Sequence, residues 1–577
     1  MVTAAAAVFL TCVKASALDD VCTPSYVQGV LPMQDLYLGD WGNIAIAIDL
    51  SSVAATPVTN FSVSNQVMYP DATFDYCDVT FAYTHLGRDD RTQVRYWMPV
   101  PENFQNRFLS TGGGGFAINS GTMSLPGGVQ YGAVSGATDG GFGNFTINLD
   151  KVWLLANGTE NWQALYMFGY HAIHELTILG QEFTKQFYSM NDTRLFSYYQ
   201  GCSEGGRDGW SQLQRFTTLD GAVTGAPAFR FAHQQVQHLW SNVVQHTLGY
   251  YPPTCAMSRI LNETIAFCDP LDGKTDGVVS RTDLCKLQFD YNSTIGLAYS
   301  CPAVTPTVFG SFADAAQNGT VTALDAEVAR LSTDGMHDLQ GRRAYFSYTP
   351  SSVFYDAVTS YNDSANIANL VINGMGGEYV TEFLQLLNES NLPNLDGVTY
   401  DTLVDWINQG WAQYEDTLQT TWPDLSRAQA SGTKILHYHG ESDFSIPTAS
   451  SVRYYESVRS IMYPGTSFND TEDTIGDWYR LYLVPGASHC ATNLNEPNAP
   501  FPQTNLAVLI DWVEHGSKPT TLNATVLLGE KKGQNQQICA WPLRPLWTGD
   551  ETMECVYDLD SIKTWIYDLD AFKMPVY

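Results

Sequence analysis

LFSYYQGCSEGGRDGWSQLQRF, residues 195–216, decides how this chain is read. Its opening LFSYYQG (195–201) is rich in aromatic residues that favour a pleated strand, and GWSQLQRF (209–216) can begin a helix. Between them Gly201-Cys202-Ser203-Glu204-Gly205 has the form G-x-S-x-G. A sharp strand-to-helix turn lifts a serine hydroxyl into the open, and small neighbours keep the turn from clashing with the adjacent strand and helix. The pattern also arises by chance in long sequences, so its weight comes from its place between a strand and a helix. That place predicts an α/β fold of the α/β-hydrolase type with Ser203 as nucleophile.

A serine hydroxyl is a poor nucleophile until a base removes its proton, and the base needs a carboxylate to fix its tautomer. In this fold the chain order is serine, then acid, then histidine, with the last two on loops after late strands. Asp443 follows the strand-like KILHYHG (434–440), and His489 ends YRLYLVPGASH (479–489). Ser203, Asp443 and His489 are therefore the expected triad; the plain alternative is a turn-capping aspartate and a surface histidine. His437 and His439 lie at a strand end close to Asp443, where packing or hydrogen bonding to the Asp443 loop is the simpler role. TGGGG (111–115) follows another strand-like run, and its bare backbone suits an oxyanion loop. Gly113, Gly114 and the N–H of Glu204 are the expected donors, against a merely structural glycine turn. A phosphate-binding loop is excluded because no Lys-Ser/Thr follows the glycines.

Cys202 precedes the serine and Cys490 follows the histidine. If these two bond, their Cα atoms lie within about 4.4–6.8 Å and nucleophile and base are drawn together; pairing with other cysteines is the alternative. An apolar run at 3–13 followed by Ala15-Ser16-Ala17 has the shape of a secretory signal cleaved after Ala17, although no Lys or Arg precedes it. Without Cys12 the cysteines form an even set of Cys22, Cys77, Cys202, Cys255, Cys268, Cys285, Cys301, Cys490, Cys539 and Cys555, which suits disulfides in an exported protein. Sequons at Asn60, Asn144, Asn157, Asn191, Asn262, Asn292, Asn318, Asn362, Asn388, Asn469 and Asn523 fit a secreted, extracellular glycoprotein. The formal charge of -31 argues against nucleic acid or an anionic membrane as partner. No later stretch has the ~20 apolar residues that span a bilayer.

With 577 residues, 44% hydrophobic and 15% charged, the chain is a packed globular protein and exceeds one minimal core. Strands are expected at 72–85, 93–100, 107–115 and 221–227, before the character changes near residue 228 to cysteines, sequons and amphipathic helices such as 378–388 and 400–408. The strand pattern returns at 434. This divides the chain into a catalytic domain at 18–227 and 428–577 and a lid inserted at 228–427. In the insert, CDPLDGKTDGVVSRTDLC (268–285) clusters Asp269, Asp272 and Asp276 between two cysteines. Hard oxygens with glycine turns suit calcium, though the spacing is not that of an EF-hand, and solvated turns are the alternative.

With these residues placed, the chain resembles the fungal tannase and feruloyl esterase family, and within it the tannases. GCSEGGRDG (201–209), TGAPAFRFA (224–232), CDPLDGKTDGVVSRTDLCKL (268–287), YDTLVDW (400–406), HYHGESD (437–443), PGASHC (485–490) and AFKMPVY (571–577) carry the likeness along nearly the whole mature chain. The resemblance implies an α/β-hydrolase domain with a large lid after a strand ending near Pro227, and a bond between Cys202 and Cys490. It also implies lid calcium bound by Asp269, Asp272 and Asp276 with backbone oxygens of Lys274 and Val278. Some relatives are cleaved at a Lys-Arg pair in the lid; here only Arg342-Arg343 could serve, so one continuous chain is expected. The implied substrate is a small phenolic ester, with gallic acid released from galloyl ester and depside bonds. The alternatives are a feruloyl esterase acting on hydroxycinnamate esters and, from another class, a non-catalytic calcium-dependent binding glycoprotein.

Overall fold

Apolar runs closed by glycine and turn residues become the strands of one ten-stranded sheet. In this computed structural model, residues 18–32, 36–37, 45–303, 315–362, 367–467, 470, 474–549 and 551–577 are described; the expected signal segment 1–17 and Asn469 lie outside them. We number the main-sheet strands β1 (Leu36–Tyr37), β2 (Ala45–Val63), β3 (Ala72–His85), β4 (Thr92–Pro99), β5 (Arg107–Thr111), β6 (Ala133–Thr138), β7 (Phe196–Cys202), β8 (Gly221–Gly225), β9 (Lys434–Gly440) and β10 (Tyr479–Val484). Their spatial order is β1-β2-β3-β4-β6-β5-β7-β8-β9-β10. The sheet is antiparallel as far as the β4–β6 pair and parallel from β6 to β10.

Parallel strands are covered on both faces, so they read as continuous apolar runs rather than alternating ones. Helices α1 (Ala172–Phe187), α2 (Glu204–Arg215) and α3 (Ala449–Met462) supply Leu176, Phe183, Trp210 and Tyr454 to the face that carries Tyr199, Ala222, Ile435 and Leu481. Helix α4 (Asn505–His515) covers the other face, where Leu509 and Trp512 meet Tyr198, Val223, Leu436 and Tyr482. Successive strand residues thus divide between two cores, and the turns at the carboxyl ends of β7, β9 and β10 lie along one edge of the sheet, where ligands bind in open α/β folds.

Between Gly225 and Lys434 the chain leaves the sheet. This segment includes helices Thr254–Cys268, Ala323–Asp334 and Tyr400–Tyr414. Small apolar clusters hold it, one around Ile260, Val328 and Ala329 and another around Leu261, Val279 and the Cys268–Cys285 bond, while Phe231 and Val236 join the main core. All ten cysteines expected in the mature chain are paired: Cys22–Cys77, Cys202–Cys490, Cys255–Cys301, Cys268–Cys285 and Cys539–Cys555.

Several sequence boundaries change, among them that of the strand expected at 221–227, which ends at Gly225. The strand expected at 107–115 stops at Thr111, since the glycines turn away from the ladder. The helix expected at 378–388 winds into wide π-type turns at Tyr379–Leu384, closed by Gln385 N–H on Val380 O, and Leu386 then takes a left-handed φ of 58° that ends it. The helix begun at Tyr400 continues past Asn408 to Tyr414.

Candidate active site

Ser203 stands between the last residue of β7 and the first of α2, with φ 64° and ψ -124°. A residue with a side chain is strained there, and the strain persists because the surroundings over-determine it. Ser203 N–H donates to Gly225 O at 2.9 Å, and Ser203 O accepts the Arg207 N–H at 3.0 Å. The flanking glycines are required by close approach: a Cβ on Gly201 would lie 2.5 Å from Gly205 O, and one on Gly206 would lie 2.5 Å from Gly225 O.

The β9 and β10 turns bring the other two residues to this hydroxyl. His489 Nε2 lies 2.8 Å from Ser203 Oγ, and His489 Nδ1 lies 2.7 Å from Asp443 Oδ2. The two side chains meet across 286 positions of sequence. Beside them Cys202 and Cys490 are bonded with Cα atoms 6.0 Å apart, inside the span such a bond demands. Asp443 is buried, and its Oδ1 accepts the N–H groups of Ser445 at 2.8 Å and Ile446 at 2.9 Å. Burial alone would raise this carboxyl, but the charge of His489 and hydrogen bonds from His439 and His489 outweigh it and hold Asp443 well below the usual carboxylate range. An ionised Asp443 only accepts, so His489 Nδ1 carries the proton and Nε2 offers its lone pair to the serine hydroxyl. This arrangement can deprotonate an alcohol for attack on an acyl carbon.

The glycine loop reaches the elbow, but not in the way expected of Gly113 and Gly114. Gly113 O accepts the Gly205 N–H at 2.9 Å, Gly113 N–H donates to Asp208 Oδ2 at 3.4 Å, and Gly114 N–H donates to Ala117 O at 3.1 Å. Their role as oxyanion donors is corrected accordingly: the loop folds back on itself at Ala117, which takes up Gly114, and Asp208 takes up Gly113. Glu204 is the first residue of α2, where a backbone N–H has no acceptor within the helix. Its carboxylate turns away to Arg207, whose Nε donates to Glu204 Oε1 at 2.7 Å.

Arg207 is the functional residue that sequence reasoning passed over. Fully buried, it also donates to Asp208 Oδ1 at 2.8 Å, Phe168 O at 2.8 Å, Gly169 O at 2.9 Å and Thr420 Oγ1 at 3.2 Å. One guanidinium thereby ties Glu204, the residue after Ser203, to Asp208, the anchor of the glycine loop. The signal was present as the charged run Glu204-x-x-Arg207-Asp208 between glycines of a helix start.

The acidic loop of the insert is built on its own backbone. Asp269 accepts the N–H groups of Asp276 and Gly277, each at 2.9 Å, and Asp272 Oδ1 accepts the Lys274 N–H at 2.9 Å. Asp276 Oδ2 lies 3.1 Å from Lys274 Nζ and 3.2 Å from Lys531 Nζ. Burial pushes the Asp272 carboxyl up to about 6, and the charges of Asp276 and Asp269 add to the effect against opposing hydrogen bonds from Lys274 and Ser280. The oxygen-only donor set has the chemistry calcium prefers. The two lysines draw Asp276 aside, and no group of three acidic, histidine or cysteine side chains among the described residues converges on a point a metal could occupy. A hydrogen-bonded link joins this loop to the turn that carries Asp443: Glu496 accepts the Val279 N–H at 2.7 Å and also the hydroxyl of Ser442, the neighbour of Asp443.

The sequence profile of the family described as Tannase and feruloyl esterase matches residues 77–562. A tannase of Aspergillus oryzae is 49% identical over 585 aligned positions, covering 98% of this chain and 97% of that protein. The solved structure of a tannin acyl hydrolase from Aspergillus niger superposes with a TM-score of 0.93 at 57% identity, covering 97% of this chain and 100% of that one. The crystal structure of feruloyl esterase B from Aspergillus oryzae shares the fold, with a TM-score of 0.65 at 24% identity over 89% of this chain and 97% of that one.

Proposed function

The chain belongs to the tannase and feruloyl esterase family, and from that premise we propose that it is a secreted serine esterase that cleaves galloyl ester and depside bonds of hydrolysable tannins. It is a carboxylic ester hydrolase. The observation that carries the mechanism is the pair of contacts on His489, 2.8 Å to Ser203 Oγ and 2.7 Å to Asp443 Oδ2. His489 takes the serine proton as Ser203 Oγ bonds to the galloyl carbonyl carbon, and Asp443 stabilises the imidazolium. His489 then returns the proton to the departing alcohol or phenol oxygen. Water, deprotonated by the same imidazole, releases gallic acid and restores Ser203. The Glu204 N–H serves the oxyanion.

The tannase reading over the feruloyl esterase reading rests on the 49% and 57% identities to a tannase and a tannin acyl hydrolase. Rates on methyl gallate and methyl ferulate test it: gallate is expected to be strongly preferred, and a ferulate preference overturns the assignment. Ser203→Ala is expected to abolish hydrolysis of both; a variant as active as its parent removes the triad, and a parent without hydrolysis favours the binding glycoprotein. Secretion is supported by five disulfides and by sequon placement. Ten of the sequon asparagines are described; nine are exposed and Asn523 is half-buried. No helix among the described residues is long and apolar enough to cross a membrane. Residues 228–427 act as the lid, and calcium at Asp269, Asp272 and Asp276 with carbonyl oxygens of Lys274 and Val278 is proposed on donor chemistry alone.

A further inference from the structure

Asp443 Oδ2 has two histidines on it. Besides His489, His439 Nε2 lies 3.1 Å away, and that same nitrogen lies 3.0 Å from Ile446 O. A carbonyl oxygen and an ionised carboxylate have no proton to give, so His439 Nε2 bears the hydrogen. The other ring nitrogen, Nδ1, lies 2.7 Å from Ser451 Oγ; Ser451 Oγ lies 2.8 Å from His437 Nε2; and His437 Nδ1 lies 2.9 Å from the Tyr479 hydroxyl. All four of these side chains are wholly buried. One set of neutral forms satisfies every atom: Tyr479 donates to His437, His437 to Ser451, Ser451 to His439, and His439 to Asp443.

We propose that His439 is a positioning residue for the triad, held in its Nε2–H tautomer by the Tyr479–His437–Ser451 chain so that it donates to Asp443 Oδ2 beside His489. This rests on the serine esterase reading above. The donor fixes the carboxylate plane that His489 Nδ1 must meet. It also draws charge from Asp443, which sets how strongly the carboxylate favours the imidazolium of His489. Without it Asp443 becomes the stronger acceptor, the imidazolium is favoured, and the neutral base is lost at higher pH. Other ionisable groups near the chain are Arg230, which donates to Ser450 beside Ser451, and Tyr345 and Tyr348, on which the field of Asp443 acts.

The test separates two substitutions of similar size. Gln at 439 keeps an N–H near the place of Nε2, whereas Asn keeps only an atom near Nδ1. In His439→Asn the acidic limb of kcat/KM is expected to move up by roughly one pH unit, with about a tenfold loss at the parent optimum. In His439→Gln the limb stays close to that of the parent. If both variants leave the limb in place, or both move it equally, the proposal is overturned whatever the loss of rate. A second measurement needs no variant: 15N spectra of histidine-labelled parent enzyme should show His439 protonated at Nε2 and bare at Nδ1, and the reverse tautomer overturns the proposal. An inactive parent, or an active Ser203→Ala, defeats the esterase reading instead. An active parent whose His439→Asn limb does not move defeats only this one.

Discussion

In the proposed mechanism Ser203 carries the chemistry, and Arg207 holds its surroundings in place. All five of its hydrogen-bond partners are oxygens, and two of them belong to buried carboxylates. Burial raises the Asp208 and Glu204 carboxyls against the pull of Arg207. Breaking a buried pair by removing one partner costs about 3–5 kcal/mol, because the remaining charge is left without a counter-ion. Arg207→Ala is therefore expected to lower the melting temperature and kcat/KM together, since Glu204 and the Gly113 anchor both loosen. Arg207→Lys restores charge but not the fork and recovers only part of either. Thermal melts and esterase kinetics on the two variants check this, and an unaltered melt for Arg207→Ala removes the argument.

At the scale of elements, what matters is how three strand ends are locked. The Cys202–Cys490 bond joins the end of β7 to the turn that follows β10, across a sequence separation of 288. Chain-entropy reasoning gives a stabilisation on the order of 5 kcal/mol for so long a loop. The other four bonds, the β ladder and both cores remain when this one is opened. The double variant Cys202→Ser/Cys490→Ser should accordingly keep its far-UV circular dichroism while losing most of kcat/KM, as should the parent under mild reduction. Loss of ellipticity in step with activity would mean that the bond holds the fold and not the site. The acidic loop gives a second test at this scale. If calcium binds there, adding it after chelation should raise the melting temperature of the parent and not of Asp272→Asn; an equal response in both, or none in the parent, sinks the calcium proposal.

At the scale of the whole molecule, buried carboxyls make stability depend on pH in opposite senses. Glu496 is wholly buried, and burial pushes it up to about 7. Between the ordinary glutamate value of ~4.3 and about 7 the folded protein holds a proton that the unfolded chain has released, so stability falls as pH rises through that window. Asp443 acts the other way: its depressed value contributes stability above the ordinary ~3.9, and that contribution is lost as pH falls further. Stability should thus peak in mild acid. Melting temperatures at pH 5 and pH 8 test this, with the pH 5 value expected to be higher and the difference reduced in Glu496→Gln. A parent more stable at pH 8 contradicts the assignment.

How much of this was legible beforehand follows from where each signal resides. The strand-turn-helix at 195–216, the order of Ser203, Asp443 and His489, and the cysteines beside two of them are local patterns, because a covalent neighbour or a strand end fixes each one. Strand β2 and helix α1 are not legible in the sequence: one carries Ser and Thr on a partly solvated face, and the other shows its packing stripe only once the sheet beneath it exists. Sequence alone determined the fold class and pointed to the residues that the structure brings together at the candidate site, since hydrophobic period and turn chemistry act over a few positions. Only the tertiary structure decided that Gly113 and Gly114 face Asp208 and Ala117, that Arg207 ties the elbow together, and that His439 shares Asp443 with His489. Those outcomes depend on which distant atoms a buried hydrogen-bonding group meets, and burial leaves it no water as a substitute partner.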